Sequence, residues 1–81
     1  MLTQIQKRIV QQEVRTVLAS HPNGYDTRQL ITDVVRNLKN PKNPNYIAGI
    51  NRNHVAGMLA WMLIKYPYRL LRHYPGFMVA V

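Results

Sequence analysis

Chain breakers partition this sequence more firmly than any other feature. Ser20-His21-Pro22-Asn23-Gly24, the Lys39–Asn45 run with Pro41 and Pro44, the pair Tyr66-Pro67, and Pro75-Gly76 each interrupt regular structure. Proline lacks the amide hydrogen that a helix interior or a central strand needs, and glycine supplies turn geometry. The intervals left between the breaks are long enough for three helices and then two short strands. With 81 residues, these elements make one domain. A chain this short buries only about 60% of its unfolded surface, so its core must be simple.

The first interval reads as a helix over about 2–19. Leu2, Ile5, Ile9, Val10, Val14, Val17 and Leu18 recur at helical spacing, the later four on one face and the earlier three towards its edge. Gln4, Lys7, Arg8, Gln11 and Arg15 form the opposite, solvated face. The second helix is expected over about 27–38. Asp26 suits the N-cap, Gln29 stands where a capping box requires it, and Tyr25 and Leu30 are spaced as a hydrophobic staple. Leu30, Ile31, Val34, Val35 and Leu38 make its apolar face, and Lys39 complements the negative end of its dipole.

The connection from Lys39 to Asn45 is basic and turn-forming. It is longer than the three or four residues typical of a helix-turn-helix connection. Tyr46-Ile47-Ala48 reads either as a short extended piece or as a segment folded back on the core. A third helix follows over about 52–65, with Ile50 at N′, Asn51 at the N-cap and Val55 at N4. Its core face is Val55, Met58, Leu59, Met62, Leu63 and Tyr66. Asn53, His54, Gly57, Ala60, Trp61, Ile64 and Lys65 make the other face. Tyr66-Pro67 stops it, and a hairpin is expected over about 68–81, turning at Pro75-Gly76.

Charge narrows the partner. Eleven Lys and Arg stand against only Glu13, Asp26 and Asp33, a formal charge of +8. In a small domain this imbalance favours nucleic acid, an acidic protein surface or anionic lipid; the plainer alternative is a solvated basic surface. The 47% hydrophobic content argues against disorder. The absence of cysteine removes a disulfide scaffold and a thiolate metal site, and fits a cytoplasmic setting. No apolar run approaches the roughly 20 residues that span a bilayer, and the stretch from Met1 to Arg8 has no apolar signal-peptide region. The partner is therefore not expected to be a membrane.

Catalysis is not expected. The three acids are scattered, Ser20 and His21 adjoin without an orienting acid, and His21, His54 and His73 lack metal-ligand spacing. There is no Gly-rich phosphate loop. The expectation is a non-enzyme without cofactor or metal.

The pattern Asn51-x-x-x-Val55-x-x-Met58-Leu59, then Leu63, a break, a basic strand, Gly76 and a terminal apolar strand resembles the third helix and wing of the winged helix-turn-helix superfamily. Three helices followed by a hairpin resemble that superfamily over nearly the whole chain. The expected fold is thus mainly α with a C-terminal β-hairpin, a three-helix winged helix-turn-helix. The resemblance implies that the third helix enters the major groove of duplex DNA, the second braces it, and the wing grips phosphates or the adjacent groove. The sequence departs from the pattern in its long connection between helices 2 and 3 and its tight wing. The usual short strand between helices 1 and 2 is not visible. Size and charge also resemble phage or mobile-element accessory proteins.

This resemblance assigns candidate DNA contacts. Arg52, Asn53 and His54 project from the first turn of the third helix, where base-reading residues sit; Arg pairs with guanine and Asn with adenine. Arg28 stands at the start of the second helix, where phosphates are favoured. Lys39 and Lys42 add loop contacts, and Arg69, Arg72 and His73 are wing residues. The alternative function is a protein-interaction module, possibly homodimeric, acting as a host-factor inhibitor or assembly factor. Its candidate surface is Trp61, Ile64, Leu2, Ile5 and Ile9, because exposed aromatic and aliphatic anchors favour interfaces. For Trp61 and Ile64, packing under the wing or against the first helix remains the other reading. RNA or ribosome binding is a third possibility.

Overall fold

The structure is a computed structural model and describes residues 2–65, 71–74 and 77–80, with side chains through residue 64. It is mainly helical. α1 spans Gln4–Ala19, α2 Thr27–Lys39 and α3 Arg52–Lys65. Three short strands, β1 (Tyr25–Asp26), β2 (Leu71–Tyr74) and β3 (Phe77–Ala80), complete the described elements. The expected turn at Pro75-Gly76, Tyr66, Arg69 and the side chains of Arg72 and His73 lie outside the described residues.

Local chemistry sets the helix starts. Thr3 caps α1 by accepting from the Gln6 amide at 3.1 Å, while the Thr3 amide donates to the Gln6 side chain at 3.0 Å. This closed capping box delays the helix to Gln4, two residues past the sequence expectation. Asp26 caps α2 by accepting from the Gln29 amide at 3.0 Å. Here the expected box stays open, because the Gln29 side chain donates instead to Asp33 at 2.9 Å. At α3, Asn51 Oδ1 accepts from the His54 amide at 3.1 Å, and His54 Nδ1 accepts from the Asn51 amide at 3.2 Å. Histidine thus occupies the place that Glu or Gln takes in a capping box.

The core is built from Val10, Val14, Val17 and Leu18 of α1, Leu30, Val34 and Leu38 of α2, and Val55, Met58, Leu59 and Met62 of α3. Ile31, Val35 and Leu63 are only partly buried at its edge. Two further core residues come from the connection between α2 and α3. Ile47 is 2% exposed and Ile50 1%. The connection is long because it carries these two plugs. Asparagines shape it: Asn40 Oδ1 accepts from the Lys42 amide and Asn43 Oδ1 from the Asn45 amide, both two residues on, as in Asx turns. It also closes the C-terminus of α2, since Asn43 Nδ2 donates to the Asn37 carbonyl and the Ile47 amide to that of Leu38, each at 2.9 Å. Gly49, at φ 78°, supplies the left-handed turn between the plugs.

The strands form one antiparallel sheet in the order β1-β3-β2. Tyr25 pairs with Met78 and Asp26 with Phe77; on the other edge Leu71, Arg72, His73 and Tyr74 pair with Ala80, Val79, Met78 and Phe77. β1 supplies the short strand between the first two helices that the sequence did not reveal. With only two residues it has no alternation to read, and its partner lies some fifty residues away in the chain.

Candidate nucleic-acid interface

The first turn of α3 meets the first two turns of α2. Arg52 Nη1 donates to Thr32 Oγ1 at 2.6 Å and Nη2 to the Arg28 carbonyl at 3.5 Å. Thr32 Oγ1 donates to the same Arg28 carbonyl at 3.0 Å. The Arg52 guanidinium therefore spans both helices, while Arg28, Arg52 and Asn53 all remain exposed. A guanidinium carries five N–H donors in a rigid fork, so two contacts to α2 leave donors for a ligand. His54 differs. It is half-buried, and its Nδ1 is held by the Asn51 amide, which puts the ring proton on Nε2. Its first role is in the α3 cap.

The remaining expected DNA contacts are dispersed. Lys39 and Lys42 are exposed, but they lie at the far end of α2 from Arg28. The eleven residues from Arg28 to Lys39 correspond to about 16 Å of helix rise. Arg72 and His73 occupy β2 on the sheet edge away from β1, and Arg69 falls outside the described residues.

The apolar candidates also separate. Leu2 and Ile9 pack against the core, whereas Ile5 is 71% exposed and Ile64 80%. Trp61, 41% exposed, lines an open groove between α1 and α3 of about 750 Å³. One wall is Gln4, Lys7, Arg8 and Gln11; the other is Asn53, His54, Gly57 and Trp61, with Leu2 and Met58 between them. The α1 face read from sequence as simply solvated is thus half of a groove. The i, i+3, i+4, i+7 spacing of Gln4, Lys7, Arg8 and Gln11 was the available signal. It could not show what the face lay beside.

All three acids are engaged within the fold. Asp26 caps α2, and Glu13 accepts from Asn37 Nδ2 at 2.9 Å, tying α1 to α2. Asp33, buried, accepts from the Tyr25 hydroxyl, from Gln29 Nε2 and from Arg36 Nη2, the last two at 2.9 Å. The Tyr25 hydrogen bond holds the Asp33 carboxyl below its ordinary range despite burial, helped by Gln29 and Arg36. The same hydrogen bond, with burial, raises the Tyr25 phenol. The Tyr25 ring stacks on His21 with centroids 3.7 Å apart, and His21 Nδ1 lies 3.0 Å from the Val17 carbonyl. This chain of contacts fastens β1 to α1 and α2. Three side chains donate to the one Asp33 carboxylate, which is the mark of a structural network.

Among the described residues no three metal-ligating side chains come together, and no helix is long and apolar enough to cross a membrane. Compared with protein-family models, curated proteins and solved structures, the chain matches none.

Proposed function

We propose that this chain is a winged helix-turn-helix domain that binds duplex DNA, serving as a small regulator or accessory factor. The observation that carries the reading is the Arg52 bridge, which joins the first turn of α3 to the first two turns of α2 with Arg28 and Arg52 both exposed, and with exposed Asn53 next in the chain on the α1 side. A helix-turn-helix contacts DNA through such a pair of helix starts, one at the backbone and one at the base edges. The element order and the β1-β3-β2 sheet support the same reading, and the +8 charge supplies the attraction. In this scheme Arg28 contacts phosphate, Asn53 reads a base edge, and Arg72 with His73 contacts backbone from the wing. Lys39 and Lys42 contribute only to the long-range field.

Fluorescence anisotropy with duplex DNA across a salt series tests this. Log affinity should fall with log salt with a slope of several units, each neutralised phosphate contributing about 0.9. Arg28→Ala should reduce the slope by about one and weaken all sequences alike, whereas Asn53→Ala should relax sequence preference. A flat salt dependence would sink the reading. Preference for structured RNA over duplex DNA would replace DNA with RNA as the partner.

A further inference from the structure

We propose that the groove between α1 and α3 is a docking site for an acidic amphipathic helix of a partner protein. Its walls are two helices at helical spacing. Gln4 to Gln11 spans about 10 Å along α1 and Asn53 to Trp61 about 12 Å along α3, enough to seat roughly two turns. Leu2 and Met58 between the walls, with Trp61 on the α3 side, give it apolar surface. Gly57 leaves it open: a Cβ built there meets nothing within 4 Å. Such a trough suits an apolar helix face inserted between two helices.

Charge selects the occupant. Lys7 and Arg8 stand on the α1 wall, and no acid lines the groove. Glu13, Asp26 and Asp33 are all held elsewhere by their own hydrogen bonds. A partner helix with an apolar stripe flanked by Glu or Asp would satisfy apolar surface and wall together, with Gln4, Gln11 and Asn53 available to its polar edge. A phosphate backbone would use the cations and leave the apolar surface uncovered. A second copy of this chain would bring +8 against +8. Arg28 and Arg52, joined across α2 and α3, are not part of the groove's lining, whereas Asn53 is shared between the groove wall and the proposed DNA contact.

Trp61 is the chain's one tryptophan and sits in the groove, so its emission reports occupancy directly. The probe is a synthetic acidic peptide presenting leucines on one helix face and glutamates on both flanks. Titration should shift the emission saturably, with a dissociation constant in the range of about 1–100 μM. Gly57→Leu, which grows into open space on an intact helix, should weaken binding at least about tenfold with an unchanged circular dichroism spectrum. Joint replacement of Lys7 and Arg8 by Gln should weaken binding and flatten its salt dependence. The proposal is overturned if no saturable shift occurs, if a lysine-flanked peptide binds as well, or if Gly57→Leu binds undiminished. It is equally overturned if duplex DNA gives the same Gly57-sensitive shift, or if emission changes with protein concentration alone while the sedimenting mass doubles.

Discussion

Replacing Ile47 by alanine tests whether the α2–α3 connection is part of the core. Composition suggests otherwise: the segment is rich in Asn, Pro and Lys, and such segments ordinarily run solvated over a surface. Yet Ile47 is 2% exposed and its amide is bonded to the Leu38 carbonyl at 2.9 Å. Truncating a fully buried isoleucine costs about 2–5 kcal/mol, combining lost transfer energy with the cavity left behind. A domain of 81 residues has a total stability of about 4–12 kcal/mol at typical per-residue values, so this one change removes a large part of it. The neighbouring Tyr46 is 45% exposed and supplies the control. Its replacement by alanine should cost less than about 1 kcal/mol, as surface changes do. Urea unfolding followed by circular dichroism compares the two. With a slope of about 1 kcal/mol per molar urea, Ile47→Ala should lower the midpoint by about 2 M or more. Equal midpoints for Ile47→Ala and Tyr46→Ala would refute the plug and make the connection an ordinary loop.

Two further outcomes follow from the caps and the buried carboxylate. Asn51→Ala and His54→Ala should each cost about 1 kcal/mol, and the double variant clearly less than the sum, because both side chains serve one box; additive losses in thermal melts would separate them. Asp33 has a lowered folded-state pKa, so its contribution is present above the unfolded value and is lost as pH falls through the folded one. Stability of the native chain should therefore fall on acidification below about pH 5, and Asp33→Asn should be less stable at neutral pH with a shallower acid limb. Tyr25, raised in the folded state, acts in the opposite sense: its contribution is full below the unfolded phenol value and fades as pH rises through the folded one. A denaturation series across pH that shows identical acid limbs for the native chain and Asp33→Asn would contradict the network.

What the sequence disclosed was periodic. Val10, Val14, Val17 and Leu18, the run Leu30, Val34 and Leu38, and Val55, Met58, Leu59 and Met62 each repeat at helical spacing, and each set is buried as the pattern requires. The Asp26 and Asn51 caps were legible because cap chemistry is local. What stayed hidden was not local. Tyr46-Ile47-Ala48 is too short to carry a period, so the sequence left open whether it is extended or folded back on the core. β1 has two residues and gains its identity from β3. Arg52 lies twenty residues from Thr32, and no spacing rule joins them. The core face of α3 was legible, but Gly57, Ala60, Trp61 and Ile64 opposite it are also apolar, so the pattern did not show what that second face lies beside. The groove arises only when α1 is laid beside it.

The internal engagement of all three carboxylates also governs how copies of the molecule meet one another. With only three acids in the chain, Asp33 buried and Glu13 and Asp26 each hydrogen-bonded within the fold, a neighbouring copy finds few surface anions with which to pair its own arginines and lysines. Added salt then acts in opposite directions on two kinds of assembly. It screens the mutual repulsion of copies and brings them together, while it loosens any complex with a polyanion. An association that tightens as ionic strength rises is not one with a polyanion, and self-contact is of that tightening kind. One that loosens has an anionic partner, and the sign of the slope alone tells them apart.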